Sequence, residues 1–313
     1  MDRLRHQADV PEDLAGKRLD RVLAELFPEY SRSRLQQWLR AGWVTVDGQQ
    51  RRARDPVIGG EHVIVDAEPQ AETAVEPEPI PLEILAEDDS LFVINKPPGL
   101  VVHPAAGHWH GTLVHGLLHR DPELSALPRA GVVHRLDKDT SGVLVVARTY
   151  AAHADLVAQL QARSVERHYQ AVVCGSPTAG GRVEAPIGRH PRDRKRMAVV
   201  SRGRPAVTHY RVAERFPAHT ALSLQLETGR THQIRVHMAH VGLPLVGDPV
   251  YGRRPVYPRG ASDELRQTLD GFRRQALHAR RLALRHPASG AWQEWEVPPP
   301  QDLQELLEAL RHG

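Results

Sequence analysis

A single cysteine, Cys174, in a chain of 313 residues rules out a disulfide framework. Long uncharged apolar runs are also missing, and without about 18 such residues in a row no segment reads as a membrane span. The first residues, Met1 to Pro11, are charged and lack the apolar centre of a secretion signal, so the chain is expected in the cytoplasm. Gly142, Gly175 and Gly229 are isolated glycines, and no Gly-rich loop of the dinucleotide or triphosphate type is present. Lysine is scarce too: of the 41 basic residues only Lys17, Lys96, Lys138 and Lys195 are lysine. The rest are arginines, whose planar fork suits phosphate and stacked bases better than a point charge, although GC-rich codon usage produces the same bias.

Apolar residues make up 41% of the chain and charged residues 25%, too apolar for a disordered chain. At roughly 150 residues per domain the length predicts one large domain and one small one. The 41 basic and 38 acidic residues leave a formal charge of +3. That near-balance is unevenly spread. Nine acidic residues and no basic one fall between Asp66 and Ser90, so the remainder carries +12. A basic remainder permits a nucleic-acid partner without proving one.

Residues 1–13 read as an N-terminal tail and 14–66 as a small unit. There Leu19, Val22, Leu23 and Leu26 recur at helical spacing, Pro28 ends that helix, and Ser31 can cap a second one carrying Leu35, Trp38 and Leu39. Val44 to Val46 alternates and runs into Asp47-Gly48, a two-residue hairpin signal, and His62 to Val65 supplies another strand. Residues 67–81, rich in Pro and Glu, read as an extended, self-repelling linker. From 82 to 313, short apolar runs are separated by turn signals. Helices are expected from Tyr150 to Arg163, near Leu113 to His119 and from Asp302 to Leu310. The pattern predicts an α+β fold with a mixed sheet.

Between two apolar strands, Gly131-Val132-Val133 and Gly142 to Val146, lies a polar hinge with His134, Arg135, Asp137, Lys138 and Asp139. Such a hinge either is a charged turn capped by Asp139 and Thr140 or lines a site. Asp137 and Asp139 also fit the paired carboxylates of a glycosidase, and spacing alone does not show whether they straddle a substrate.

His134-Arg135-Leu136-Asp137 in this frame resembles the active-site signature of the pseudouridine synthases that modify ribosomal and transfer RNA. Asn95 to Pro104 resembles that family's first motif, and Arg167 to Val172 the motif that supplies its tyrosine. Thr228 to His237 resembles the motif that supplies a buried arginine, and Gly247 to Gly252 follows in order. Residues 14–66 resemble the S4 RNA-binding module through Ser31 to Arg34 and Gly42 to Gly48, with Asp47 where asparagine is commoner. The resemblance covers nearly the whole chain. It implies a mainly antiparallel catalytic sheet, an S4-like domain, and isomerisation of uridine to pseudouridine in large-subunit ribosomal RNA, at clustered uridines of a stem-loop.

It also implies the roles. Asp137 is the carboxylate at the sugar, as nucleophile or base; Arg235 is its ionic partner, and Tyr169 offers a ring and a phenol to the uracil. Arg135 fills the space of a flipped base. No cofactor is expected, because the isomerisation is redox-neutral. RNA contacts are expected at Arg32 and Arg34, and at Arg192, Arg194, Lys195 and Arg196 within a stretch from Arg189 to Arg215 that has nine basic and two acidic residues. A second stretch, Arg253 to Arg285, is equally basic. The 19 histidines form no metal-binding motif, so no metal is expected. A monomer is favoured. A non-catalytic RNA-binding assembly factor, or an enzyme for other ribosomal or transfer RNA uridines, stands as the alternative.

Overall fold

The computed structural model describes residues 4–28, 30, 32–67, 75–105, 107–193 and 195–313, and the chain divides into units Met1–Ala74 and Val75–Gly313. The segment expected as a tail instead begins with an edge strand, β1 (Leu4–Asp9), antiparallel to β3 (His62–Ala67); β2 (Val44–Val46) pairs on the other side of β3. The reason lies in the backbone: without β1 one edge of β3 would be unpaired, and Val10 beyond β1 is buried in the core. Leu19, Val22 and Leu23 of α1 (Leu19–Leu26) pack with Leu35 and Trp38 of α2 (Arg32–Ala41) over this sheet. Asp47 and Gly48 both adopt left-handed backbone, with φ of 49° and 74°, and close a tight turn between Val46 and Gln49. That turn yields one bridge rather than a hairpin, because β2 takes β3 as its partner.

The C-terminal unit is built on one large mixed sheet. Its strands are β4 (Glu83–Glu87), β5 (Leu91–Lys96), β6 (Ser141–Ala147), β7 (Glu166–Cys174), β8 (Gly181–Glu184), β11 (Val207–Arg215), β12 (His219–Leu226), β13 (Leu277–Arg285) and β14 (Trp292–Glu296). They lie in the order β4-β5-β6-β13-β7-β12-β11-β8, with β14 on β13. Only the β6–β13 contact is parallel, at His278 and Ala279. A separate hairpin joins β9 (Ile187–Arg189) to β10 (Met197–Val199). The fold is α+β, with a mainly antiparallel sheet. The helices are α3 (Leu113–Arg120), α4 (Tyr150–Gln161), α5 (Gln233–His240), α6 (Asp263–Gly271) and α7 (Gln301–His312). Among the described residues no helix is long and apolar enough to cross a membrane.

Alternation on the strands sorts two cores. Tyr169, Ala171 and Val173 of β7 face α3 and α5, whereas Val172 and Cys174 face α6 and α7. The predicted linker is shared between the units: Ala67 completes β3, and Ile80 and Leu82 close on Gly116 of α3. Glycine is required at position 142, where β6 meets β13. Its φ is +115°, and a Cβ there would lie 2.1 Å from the Ala279 carbonyl oxygen. Gly142→Ala is therefore expected to lower stability by about 2 kcal/mol or more, read as a reduced urea midpoint at unchanged m-value.

Candidate active site

Asp137 occupies the turn that leads into β6, and its carbonyl accepts the Thr140 amide at 3.0 Å. Groups from two other segments hold this turn. Lys96, fully buried at the end of β5, donates from Nζ to the carbonyls of Pro97, Leu100 and Lys138 at 2.8, 2.9 and 2.9 Å. Burial pushes its ammonium down to about 7, while Asp139 and Asp137 pull the other way. Arg274, clamped bidentately by Asp302, donates to the Asp139 carbonyl, and Gln275 donates to the Thr140 hydroxyl. His134 is a clasp: its Nε2 accepts the Val145 amide at 3.1 Å. Burial, with help from the Arg167 charge, lowers its pKa to about 3 and keeps it neutral.

Arg235, on the first turn of α5, reaches Asp137 across 98 residues of sequence. Its Nη1 donates to Asp137 Oδ2 at 3.0 Å. Nε and Nη2 donate to the two oxygens of Asp248 at 2.7 and 2.9 Å, a bidentate pair. Asp248 Oδ1 also accepts the amides of Val250 and Tyr251. Burial works against both charges of the Arg235–Asp248 pair, yet Arg235 is held more basic than usual and Asp248 more acidic because each has the other.

Tyr169 lies beside them, 8% exposed, and burial raises the pKa of its phenol. Its hydroxyl has no hydrogen bond among the described residues and lines a cavity of about 1070 Å³ shared with Asp137, Arg135 and Arg235. Arg135 is exposed at this cavity and has no ion pair among the described residues. Buried Arg167 also lines it; two main-chain carbonyls, no carboxylate, accept from its guanidinium.

His232 and Tyr251 were not singled out by sequence reasoning, though both stand inside recognised motifs. His232 has left-handed backbone, φ 55°, and its Nδ1 lies 2.8 Å from the Tyr251 hydroxyl oxygen. That oxygen also accepts the Met197 amide at 2.8 Å. Burial lowers the His232 pKa despite Asp137, and its Nε2 lies 3.9 Å from Asp137 Oδ1.

The expected RNA contacts divide. Arg192 and Lys195 are exposed in the β9–β10 turn, and Arg194 lies outside the described residues. Arg196 is not free: it donates to the Val250 carbonyl at 2.7 Å and stacks on the Tyr251 ring at 5.2 Å. Arg32 is likewise engaged, donating to buried Asp20 at 2.6 Å alongside Arg18 and Gln36. A buried carboxylate demands such donors, so Arg32 is partly withdrawn from RNA. The side chain of Arg34 lies outside the described residues. Among them, one group of metal-binding side chains converges: Glu78, His110 and His115. There the Thr112 amide donates to His115 Nδ1, and Glu78 accepts the Gly111 amide at 3.0 Å, which fastens the 75–81 segment to the start of α3.

A family model for RNA pseudouridylate synthase matches residues 90–240, and one for the S4 domain matches residues 17–63. Ribosomal large subunit pseudouridine synthase D of Xanthomonas campestris is 58% identical over 99% of this chain and 94% of its own. The protein of that name in Pseudomonas aeruginosa is 56% identical, over 99% and 97%. The chain belongs to the pseudouridine synthase family. Solved structures agree: human RNA pseudouridylate synthase domain containing 4 has a TM-score of 0.56 and 29% identity, covering 73% of this chain and 93% of that one. Human RNA pseudouridylate synthase domain containing 1 gives 0.54 and 26%, covering 75% and 97%. The enzyme is thus an RNA pseudouridine synthase with an S4 domain at its N-terminal side.

The Arg235–Asp248 pair of this synthase gives a pH prediction. Asp248 is more acidic in the folded than in the unfolded state, so its contribution is complete above about pH 4 and fades as pH falls further. An Asp248→Asn variant should show a stability deficit of about 3 kcal/mol that is constant from about pH 5 to 8 and shrinks below about pH 4, measured by denaturant titration at each pH.

Proposed function

We propose that this enzyme isomerises uridines of large-subunit ribosomal RNA, clustered in a stem-loop, with Asp137 as the catalytic carboxylate. The observation that carries the reading is the placement of Asp137 against Arg235, itself fixed by Asp248, in one cavity with Tyr169. The relatives' shared name supplies the substrate class.

The chemistry breaks the bond from N1 of uracil to C1′ of ribose, turns the ring, joins C5 to C1′, releases the C5 proton to solvent and takes one proton from solvent onto N1. Charge changes hands between sugar and base, and no electrons leave. A carboxylate beside C1′ serves this course as nucleophile or as base. Arg235 places a cation against Asp137 and fixes the direction of its Oδ2. Because burial disfavours the phenolate, Tyr169 acts through its ring face and as a hydroxyl that relays a proton. The unpaired Arg135 enters the gap left by the flipped uridine. Exposed Arg192 and Lys195 hold phosphates.

Asp137→Asn is isosteric and should bind a ribosomal RNA fragment normally while pseudouridine formation falls about 10³-fold or more, scored by chemical mapping. Undiminished modification would remove Asp137 from the mechanism. Mapping of cellular RNA with and without the gene tests the substrate: loss of pseudouridine in transfer RNA alone would move the enzyme to the other substrate class.

A further inference from the structure

A second cavity, of about 360 Å³, lies on the other face of the catalytic sheet, within the size range of small-molecule sites. Its floor is made where β7 ends and β12 begins. Cys174 and His219 are directly opposed there in the antiparallel register, so their side chains are neighbours on one face. His219 is 1% exposed, and neither of its ring nitrogens has a hydrogen-bond partner. Burying an imidazole in this state is unfavourable unless something else satisfies it. Phe272 and Leu269 supply an apolar wall.

Three exposed arginines, Arg253, Arg254 and Arg273, line the same cavity, and none has a hydrogen-bonded or ionic partner for its guanidinium among the described residues. Their neighbours differ: Arg274, Arg280 and Arg281 are each paired with a carboxylate. The cavity therefore joins an unsatisfied donor and acceptor at its floor, an apolar wall and three unneutralised cations. A free inorganic anion would use only the cations.

We propose that this cavity binds one unpaired nucleotide, its base against His219 and Phe272 and its phosphate among Arg253, Arg254 and Arg273, and that the nucleotide is part of the RNA substrate. A neutral imidazole offers one donor and one acceptor, and a nucleobase edge presents both. Pro249 lines this cavity and the catalytic one, so an occupant touches the turn that carries Asp248. The site depends on the enzyme's having an RNA substrate and not on the roles given to Asp137, Tyr169 or Arg235.

The test uses the full chain and a large-subunit ribosomal RNA stem-loop with single-stranded flanks. Binding is measured by fluorescence anisotropy across a salt series. Arg253→Gln with Arg273→Gln should weaken binding about 3- to 10-fold and reduce the slope of log affinity against log salt by about 1. Pseudouridine formation at saturating RNA should be unchanged, which separates failure here from failure of the catalytic reading. Cys174 is the chain's sole cysteine, so its rate of reaction with methyl methanethiosulfonate reports the floor directly. RNA should protect it in the parent and not in the double variant. If UMP protects Cys174 while RNA does not, the site serves a free nucleotide and the RNA assignment is overturned. An unchanged salt slope with no protection by RNA or UMP would dispose of the nucleotide site; where the thiol is unreactive, the slope alone decides.

Discussion

Arg235 must satisfy two carboxylates with one guanidinium, and the geometry around it follows from that demand. Asp248 takes the bidentate edge and is itself steadied by the amides of Val250 and Tyr251. One N–H remains for Asp137. A lysine would carry the same charge but could not fix two directions at once. Two carboxylates and one guanidinium still sum to −1 in a poorly solvated place. Lys96 lies within the field of Asp139 and Asp137 and donates three hydrogen bonds to main chain, so its ammonium offsets part of that excess.

The sheet converts this local electrostatics into position. Asp137 precedes β6 and Arg235 begins α5, while Tyr169 lies on β7, two strands from β6 across β13. Gly142 permits the close approach of β6 to β13, and Gln233 ties the start of α5 to β11 through Val207 and Thr208. The Met197–Tyr251–His232 chain then connects the β9–β10 hairpin, which carries Arg192 and Lys195, to the second oxygen of Asp137. The hairpin with its two exposed cations is thereby linked to the neighbour of the Asp137 carboxylate.

Periodicity alone placed α1, α2 and α7 within a few residues of their positions, since each carries an apolar stripe such as Leu303, Leu306, Leu307 and Leu310. It missed β1, whose Leu4, His6 and Ala8 form no strongly apolar face and whose place is set by backbone pairing to β3. It also missed α5, in which Arg235 and His237 occupy inward positions as polar groups satisfied by partners far away in sequence. The meeting of Asp137 with Arg235 could be expected only through family resemblance, because nothing in local spacing encodes a contact across 98 residues. Arg32 shows the converse limit. Its charge invited an RNA contact, and only the fold revealed Asp20 buried beneath it.

The formal +3 conceals a division of labour among the charges. Part of the acidic run before Ser90, read as a repelling tether, pairs with basic groups of the catalytic unit. Glu78 binds the 110–115 segment, Glu87 pairs with Arg120 and Arg148, and Asp88 pairs with His286. Carboxylates elsewhere occupy Arg274, Arg281 and Arg311. Among the described cations that these pairings leave without a carboxylate are Arg135 and Arg167 at the catalytic cavity, Arg192 and Lys195 on the hairpin, and Arg253, Arg254 and Arg273 at the second cavity. Polyanion binding draws on cations that have no internal partner, since a paired guanidinium must first give up its carboxylate. The footprint of RNA on this unit should therefore follow its unpaired cations, not the density of arginine along the sequence.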